Sequence, residues 1–214
     1  MTEYGGIWKK MSKFATMNQE ADNRIWSENV IIVDGEYIDK VAFDLTVNFE
    51  RMLGRRIPQA DLARWVDCVA LDGGLRPGGH QTQVVFVHDR KNSRLENFTP
   101  GCYEKELNGM AFKDELGEFT LSSFPVEDMV SHDGFLLDIL QMACAQKKVR
   151  RIMVIANAER AYEDVRRMLR RLEDEDKRIT VFAMQPMPGG NFRQEILGYS
   201  LMSALGIRGE ELGV

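Results

Sequence analysis

Cysteine is scarce in this chain and widely spaced. Cys68, Cys102 and Cys144 are the full set in 214 residues, and no Cys-x-x-Cys pair occurs. That excludes zinc ribbons and thioredoxin-like redox sites. Cys68 and Cys144 fall in apolar helical patterns and read as small core hydrophobes. No run of about 18 apolar residues exists, so no transmembrane helix is expected. The opening residues, MTEYGGIWKKMSKFATMNQEADNR, lack the unbroken apolar stretch of a signal peptide, and a cytoplasmic location is expected. Gly-x-Gly-x-x-Gly, Gly-x-x-x-x-Gly-Lys-Ser/Thr and Gly-x-Ser-x-Gly are all missing. Dinucleotide-binding, P-loop and α/β-hydrolase readings lose their support with them. The formal net charge of −5 argues against general electrostatic binding to nucleic acid and leaves only a local basic patch open.

What is present is an ordinary globular balance, 44% hydrophobic and 29% charged, without repeats. Residues 1–28 are polar and irregular, with Trp8, Phe14 and Trp26 scattered through them, and read as an N-terminal arm. Residues 29–214 read as a single domain. Asn29–Val33 (NVIIV) is a short, unalternating apolar run, as expected of a strand covered on both faces. Helical spacing over Val41–Leu53 follows, with Gly54 as its stop. Pro58 opens a second helical pattern. Gln83–Val87, Glu118–Ser122, Arg151–Ala156 and Thr180–Met184 read as further strands. Helices are expected at Ser131–Gln146, Arg160–Asp174 and Gln194–Leu205, and residues 90–116 form an irregular insertion that holds a short helix or a lid. This alternation predicts an α/β fold, a three-layer α/β/α sandwich on a mainly parallel sheet of about five strands. The apolar face of the last helix (Ile196, Leu197, Leu201, Met202, Leu205), with the aromatic N-terminal arm, suggests a homodimer.

Ligands of open parallel sheets bind outside the carboxyl ends of the strands. The residues there are Asp34 and Glu36, His88 and Asp89, Asn157 and Glu159, and Gln185. Among the histidines, His88 is best placed for acid/base or phosphate contact. Asp138 stands in the apolar helix FLLDILQMA, where a carboxylate either needs a partner or a wet cavity, or lies on a solvated strip with Gln141 and Ala145 or bonds a backbone group. Asp133, in the first turn of that helix, complements the helix dipole. Clustered carboxylates at strand ends suit Mg²⁺ or Mn²⁺.

Two glycine-rich stretches, Gly73–Gly79 and Gly189-Gly190, offer backbone amides to phosphate, although such stretches are more often plain turns. Arg166, Arg167, Arg170 and Arg171 lie among acids and read as a salt-bridged surface. Lys147, Lys148, Arg150 and Arg151 form a basic cluster at the sheet's amino end.

Three stretches, VIIVDGEY, the helix ending Asp138-Ile139-Leu140-Gln141-Met142-Ala143, and RIMVIA followed by Asn157-Ala158-Glu159-Arg160, resemble in order and partly in residues the NYN domain of the PIN-like nuclease superfamily. The family's first helical acid falls on His132 and its second on Asp138. Its two acids after the fourth strand fall on Ala158 and Arg160, and the Asn after its Asp-Gly-x falls on Tyr37. The resemblance spans about residues 29–185. It implies a PIN-like fold and a metal-dependent ribonuclease. Asp34 and Asp138 would hold Mg²⁺ or Mn²⁺, with Asp133 as a further ligand, and Glu36 or Glu159 would complete the shell or position water. RNA is the implied partner. The alternative is a degenerate member that has lost cleavage and serves as a protein or nucleic-acid interaction module.

Overall fold

The computed structural model describes residues 26–172 and 176–212. Most of the expected N-terminal arm therefore lies outside the described residues. Trp26, at its end, is buried in the domain's core.

The centre of the molecule is β1 (Asn29–Asp34). Its side chains alternate between two separate cores, Ile31 and Val33 in one, Val30 and Ile32 in the other. All six of its residues are buried, which is why the sequence shows no polar alternation. Around it lie β3 (His80–Asp89), β6 (Gly117–Val126), β7 (Arg151–Ile155), β8 (Arg178–Ala183) and β9 (Arg193–Ile196), with β5 (Ala111–Asp114) at one edge. The seven-stranded sheet runs β5-β6-β3-β1-β7-β8-β9. Every pairing is parallel except the β5–β6 hairpin. The fold is therefore α/β on a mostly parallel sheet. It has seven strands where about five were expected. The extra two are the four-residue edge strands β5 and β9, whose sequences carry no strong apolar run.

Helices α1 (Gly35–Leu53), α2 (Leu62–Asp72) and α5 (Leu197–Ala204) pack on one face. Helices α3 (His132–Ala145) and α4 (Tyr162–Leu169) pack on the other. Helix α1 begins six residues before the expected start at Val41, and Tyr37 and Ile38 are buried in that added stretch. Asp34 ends β1 and caps the helix at once, its side chain accepting from the Tyr37 amide at 3.0 Å. Gly54, at φ 63°, stops it as expected.

The insertion at 90–116 is bound to the body rather than left as a free lid. A two-residue strand, β4 (Phe98–Thr99), pairs with β2 (Ala60–Asp61), and a π-helical turn spans Tyr103–Leu107. Leu95, Phe98, Tyr103 and Leu107 are buried in the first core. The Tyr103 hydroxyl lies so close over Gly35 that any side chain there would collide with it.

Two expectations about the C-terminal region are corrected. The single helix expected over 194–205 is β9 followed by α5. Its apolar face is spent inside the domain: Leu197, Leu201 and Leu205 are fully buried in the first core, and Met202 packs against it. The sequence ground for a dimer through this helix is thereby removed. The helix expected over 160–174 spans Tyr162–Leu169, and Asp174 lies outside the described residues. No helix among the described residues is long and apolar enough to cross a membrane.

Candidate functional site at the carboxyl rim

The chain works outward from β1 through β3 to β6, then returns through α3 to β7 on the other side of β1. Such a reversal opens a crevice at the carboxyl ends of the two central strands. Asp34 lies at its floor, fully buried. Its Oδ1 is shared between the Tyr37 amide and His132 Nε2, which lies 3.1 Å away. The other ring nitrogen of His132, Nδ1, is 2.9 Å from Asp89 Oδ1. The imidazole thus bridges two carboxylates and donates to both when protonated. Burial pulls its pKa down, but the hydrogen bonds and charges of Asp34 and Asp89 outweigh that and raise it to about 9. His132 is a cation at neutral pH.

A second cation closes the crevice. Arg160 Nη2 donates to Asp133 Oδ1 at 3.1 Å and stands 4.0 Å from Asp34 Oδ2. That Oδ2 atom is buried and has no hydrogen-bond partner. Tyr37 completes the wall. Its phenol is pushed above the ordinary tyrosine range by burial and by the charge of Glu159, against a hydrogen bond from the Ala158 backbone.

The expected residues divide unevenly over this geometry. Asp34 and Asp133 are brought together through Arg160. Glu36 is beside them but occupied elsewhere: Oε1 accepts from the Asp89 amide at 2.9 Å and Oε2 from Asn92 Nδ2 at 2.5 Å, so it pins the start of the insertion. Glu159 is exposed, and its amide bonds Asn157 Oδ1 at 3.0 Å. Asp138 is not brought to this rim and lies on the solvated strip with Gln141 and Ala145. Ser131 caps α3, so His132 and Asp133 form the turn at the rim. Asp138 lies six residues further along, about 9 Å down the axis at 1.5 Å per residue, and on the solvent side. Burial of its surroundings raises its pKa, yet no hydrogen bond or ion pair links it to Asp34 among the described residues.

His88, favoured over His132 on sequence, is structural. Its Nδ1 lies 3.0 Å from the carbonyls of both Asp89 and Asn92, which require a donor there, and its ring stacks on Tyr103 at 3.8 Å. Burial holds its pKa below the usual value. The residues that sequence reasoning underrated are His132, Asp89 and Arg160. The available signal was the repeated His-Asp pair: His88-Asp89 and His132-Asp133 meet at this rim.

Residues 23–212 match the model of DUF6621, a family of unknown function. The chain belongs to this family. No curated protein and no solved structure matches it. In this DUF6621 domain the matched span covers every strand of the sheet and the whole rim cluster.

Proposed function

We propose that this DUF6621 chain is a divergent PIN/NYN-like domain, a three-layer α/β/α sandwich, that has exchanged a catalytic metal for its own cations and acts as a non-catalytic interaction module for a protein or nucleic acid. One observation carries this reading. His132 and Arg160 stand at two positions where the resembled family has acids, and both reach Asp34, at 3.1 and 4.0 Å. Three of the family's acid positions, at Asp34, His132 and Arg160, thus meet in space with two signs inverted, while Ala158 is uncharged and Asp138 lies apart from them. Two protein cations among Asp34, Asp89 and Asp133 supply the positive charge that Mg²⁺ or Mn²⁺ would supply in a nuclease. Among the described residues, no group of three or more His, Cys, Asp or Glu is arranged to hold a metal ion. This supports a site in which Asp34 is met by the chain's own cations rather than by a hard divalent ion.

A metal-dependent ribonuclease remains the second reading, on the strength of Asp34 Oδ2, a buried carboxylate oxygen without a hydrogen-bond partner. Calorimetric titration with Mn²⁺ separates the two. The expected result is no saturable heat at millimolar Mn²⁺ and no cleavage of RNA. Saturable binding in the wild type that disappears in a folded Asp34→Asn variant would overturn the proposal in favour of the nuclease.

A further inference from the structure

The opposite rim of the sheet carries a cavity of about 660 Å³, where the amino ends of β7, β8 and β9 meet the end of α2. Arg76, Arg151, Lys177, Arg178, Arg193 and Phe192 line it, and among the described residues no carboxylate does. Five cations on one wall of a chain whose formal charge is −5 are not a sampling of its average surface.

These cations are only partly satisfied from within. Lys177 Nζ is spent on the carbonyls of Gln146 and Val149, each at 2.7 Å. Arg193 pairs with Glu195 at 2.6 Å. Arg76 donates to the Leu75 carbonyl at 2.7 Å, an acceptor without net charge. Arg151 donates one nitrogen to the Gly73 carbonyl at 2.6 Å, while its Nε is buried with no partner. Arg178 has no carboxylate within ion-pair distance among the described residues. The Glu28 carboxylate acts on the Arg151 guanidinium through its field, its carbonyl accepting from the Arg151 amide at 3.2 Å, and Asp72 faces both Arg193 and Glu195. Burial, and then Arg178, Arg193 and Arg76, hold the Arg151 guanidinium below its ordinary pKa. Arginine does not shed its proton to relieve such repulsion. Solvent meets this charge in the free protein, and it stays available to an arriving anion.

The backbone is shaped for close approach. Both glycine-rich stretches of the sequence reach this cavity, Gly73 and Gly74 from one side and Gly190 from the other. Gly74 has φ 89°, and a side chain there would press on Arg151 Nη1 and Arg193 Nη1. Its absence lets both guanidiniums face the same space.

We infer that this amino-rim cavity is a binding site for a nucleoside phosphate, its phosphates held by the arginine forks and its base against the ring of Phe192. Planar guanidiniums match phosphate oxygens two at a time. The volume lies within the range of small-ligand sites, roughly 300–1,000 Å³, and exceeds what a lone phosphate fills. The same chemistry is offered by a free nucleotide and by the phosphorylated end of an RNA strand. This inference is independent of the carboxyl-rim reading, since no residue is shared.

The test is calorimetry on the full chain with four probes: ADP, inorganic pyrophosphate, inorganic phosphate, and a short single-stranded RNA bearing a 5′ phosphate. Wild type is compared with Arg178→Ala and Phe192→Ala. Saturable binding of ADP is expected, weakened about tenfold or more in Arg178→Ala and weakened further by added salt. Phe192→Ala is expected to weaken ADP and leave pyrophosphate unchanged. ADP bound more tightly than RNA assigns the site to a free nucleotide, and the reverse order assigns it to a strand end. Failure of all four probes to bind folded wild type at millimolar concentration overturns the inference. So does binding that is unaltered in Arg178→Ala and in Arg76→Ala, both of which change exposed side chains.

Discussion

The two rims of one sheet treat charge in opposite ways. At the carboxyl rim, acids and cations interleave, Asp89 to His132 to Asp34, and Arg160 to Asp133. At the amino rim, four arginines and a lysine gather, and Arg193 alone of the arginines pairs with an acid, Glu195, among the described residues. The first arrangement pairs most of its charge within the chain, leaving Asp34 Oδ2 without a hydrogen bond, and the second leaves an excess of positive charge. A third case lies between them. Asp67 and Asp114 are like charges brought together, and burial, then the hydrogen bond and charge of Asp114, raise the Asp67 pKa to about 7. Two carboxyls resolve their conflict by keeping a proton. Four arginines have no such exit, which is why a cluster of them speaks for a ligand more strongly than a cluster of acids does.

The largest effect should come from breaking the completed rim. His132→Ala takes from Asp34, whose side chain is 1% exposed, its hydrogen-bonded cation and leaves it only Arg160 at 4.0 Å. A loss of about 3 kcal/mol is expected by urea denaturation, the scale found when one partner of a buried pair is removed. Loss below about 0.5 kcal/mol would show that the bridge is not what holds the rim. The same bridge sets a pH dependence. The folded pKa of about 9 exceeds the unfolded value of about 6.5, so the contribution is complete below pH 6.5 and fades as pH rises through 9. A wild-type stability curve that falls over that window, and an H132A curve that does not, is the expected pattern.

Asp67 gives a smaller effect of the same sign by a different route. Its folded pKa is raised above the unfolded value of about 3.9, so the folded state is favoured by the proton and loses stability as pH rises from 4 through 7. Asp67→Asn should remove that slope and stabilise the protein above pH 7 by up to about 1 kcal/mol, partial exposure having weakened the repulsion. Equal melting temperatures for the two proteins at pH 8 would contradict it. The smallest effect belongs to Asp138. It is exposed on α3, so Asp138→Asn should change stability by less than about 0.5 kcal/mol. A large loss, or loss of any Mn²⁺ binding, would return it to the site.

The fold was legible wherever burial on both faces left continuous apolar runs. β1, β3, β7 and β8 follow directly from such runs, and the order of helices and strands follows with them. β5 and β9 were not legible, because an edge strand is only partly buried and its composition stays mixed. Arg166 and Arg167 were legible as surface, and each pairs with an acid three residues earlier, Glu163 and Asp164. In the site, Asp34 could be found because an acid directly after a buried strand has one place to go. Asp138 was open to two readings because its neighbours in sequence are apolar, and its angular position on α3, with Gln141 and Ala145, faces solvent. His132, Asp89 and Arg160 meet across 43, 71 and 28 positions of chain, a proximity that no local pattern encodes.

β1 gives its odd residues to one hydrophobic core and its even residues to the other. Neither core can melt while that strand keeps its place, and neither survives its departure. Denaturation should therefore be one cooperative event, with no half-folded form in which a single layer persists. Anything that binds the native state at one end of the strand then protects the other end equally, by mass action alone. An occupant of the arginine cavity would raise the melting temperature of the histidine bridge without ever touching it.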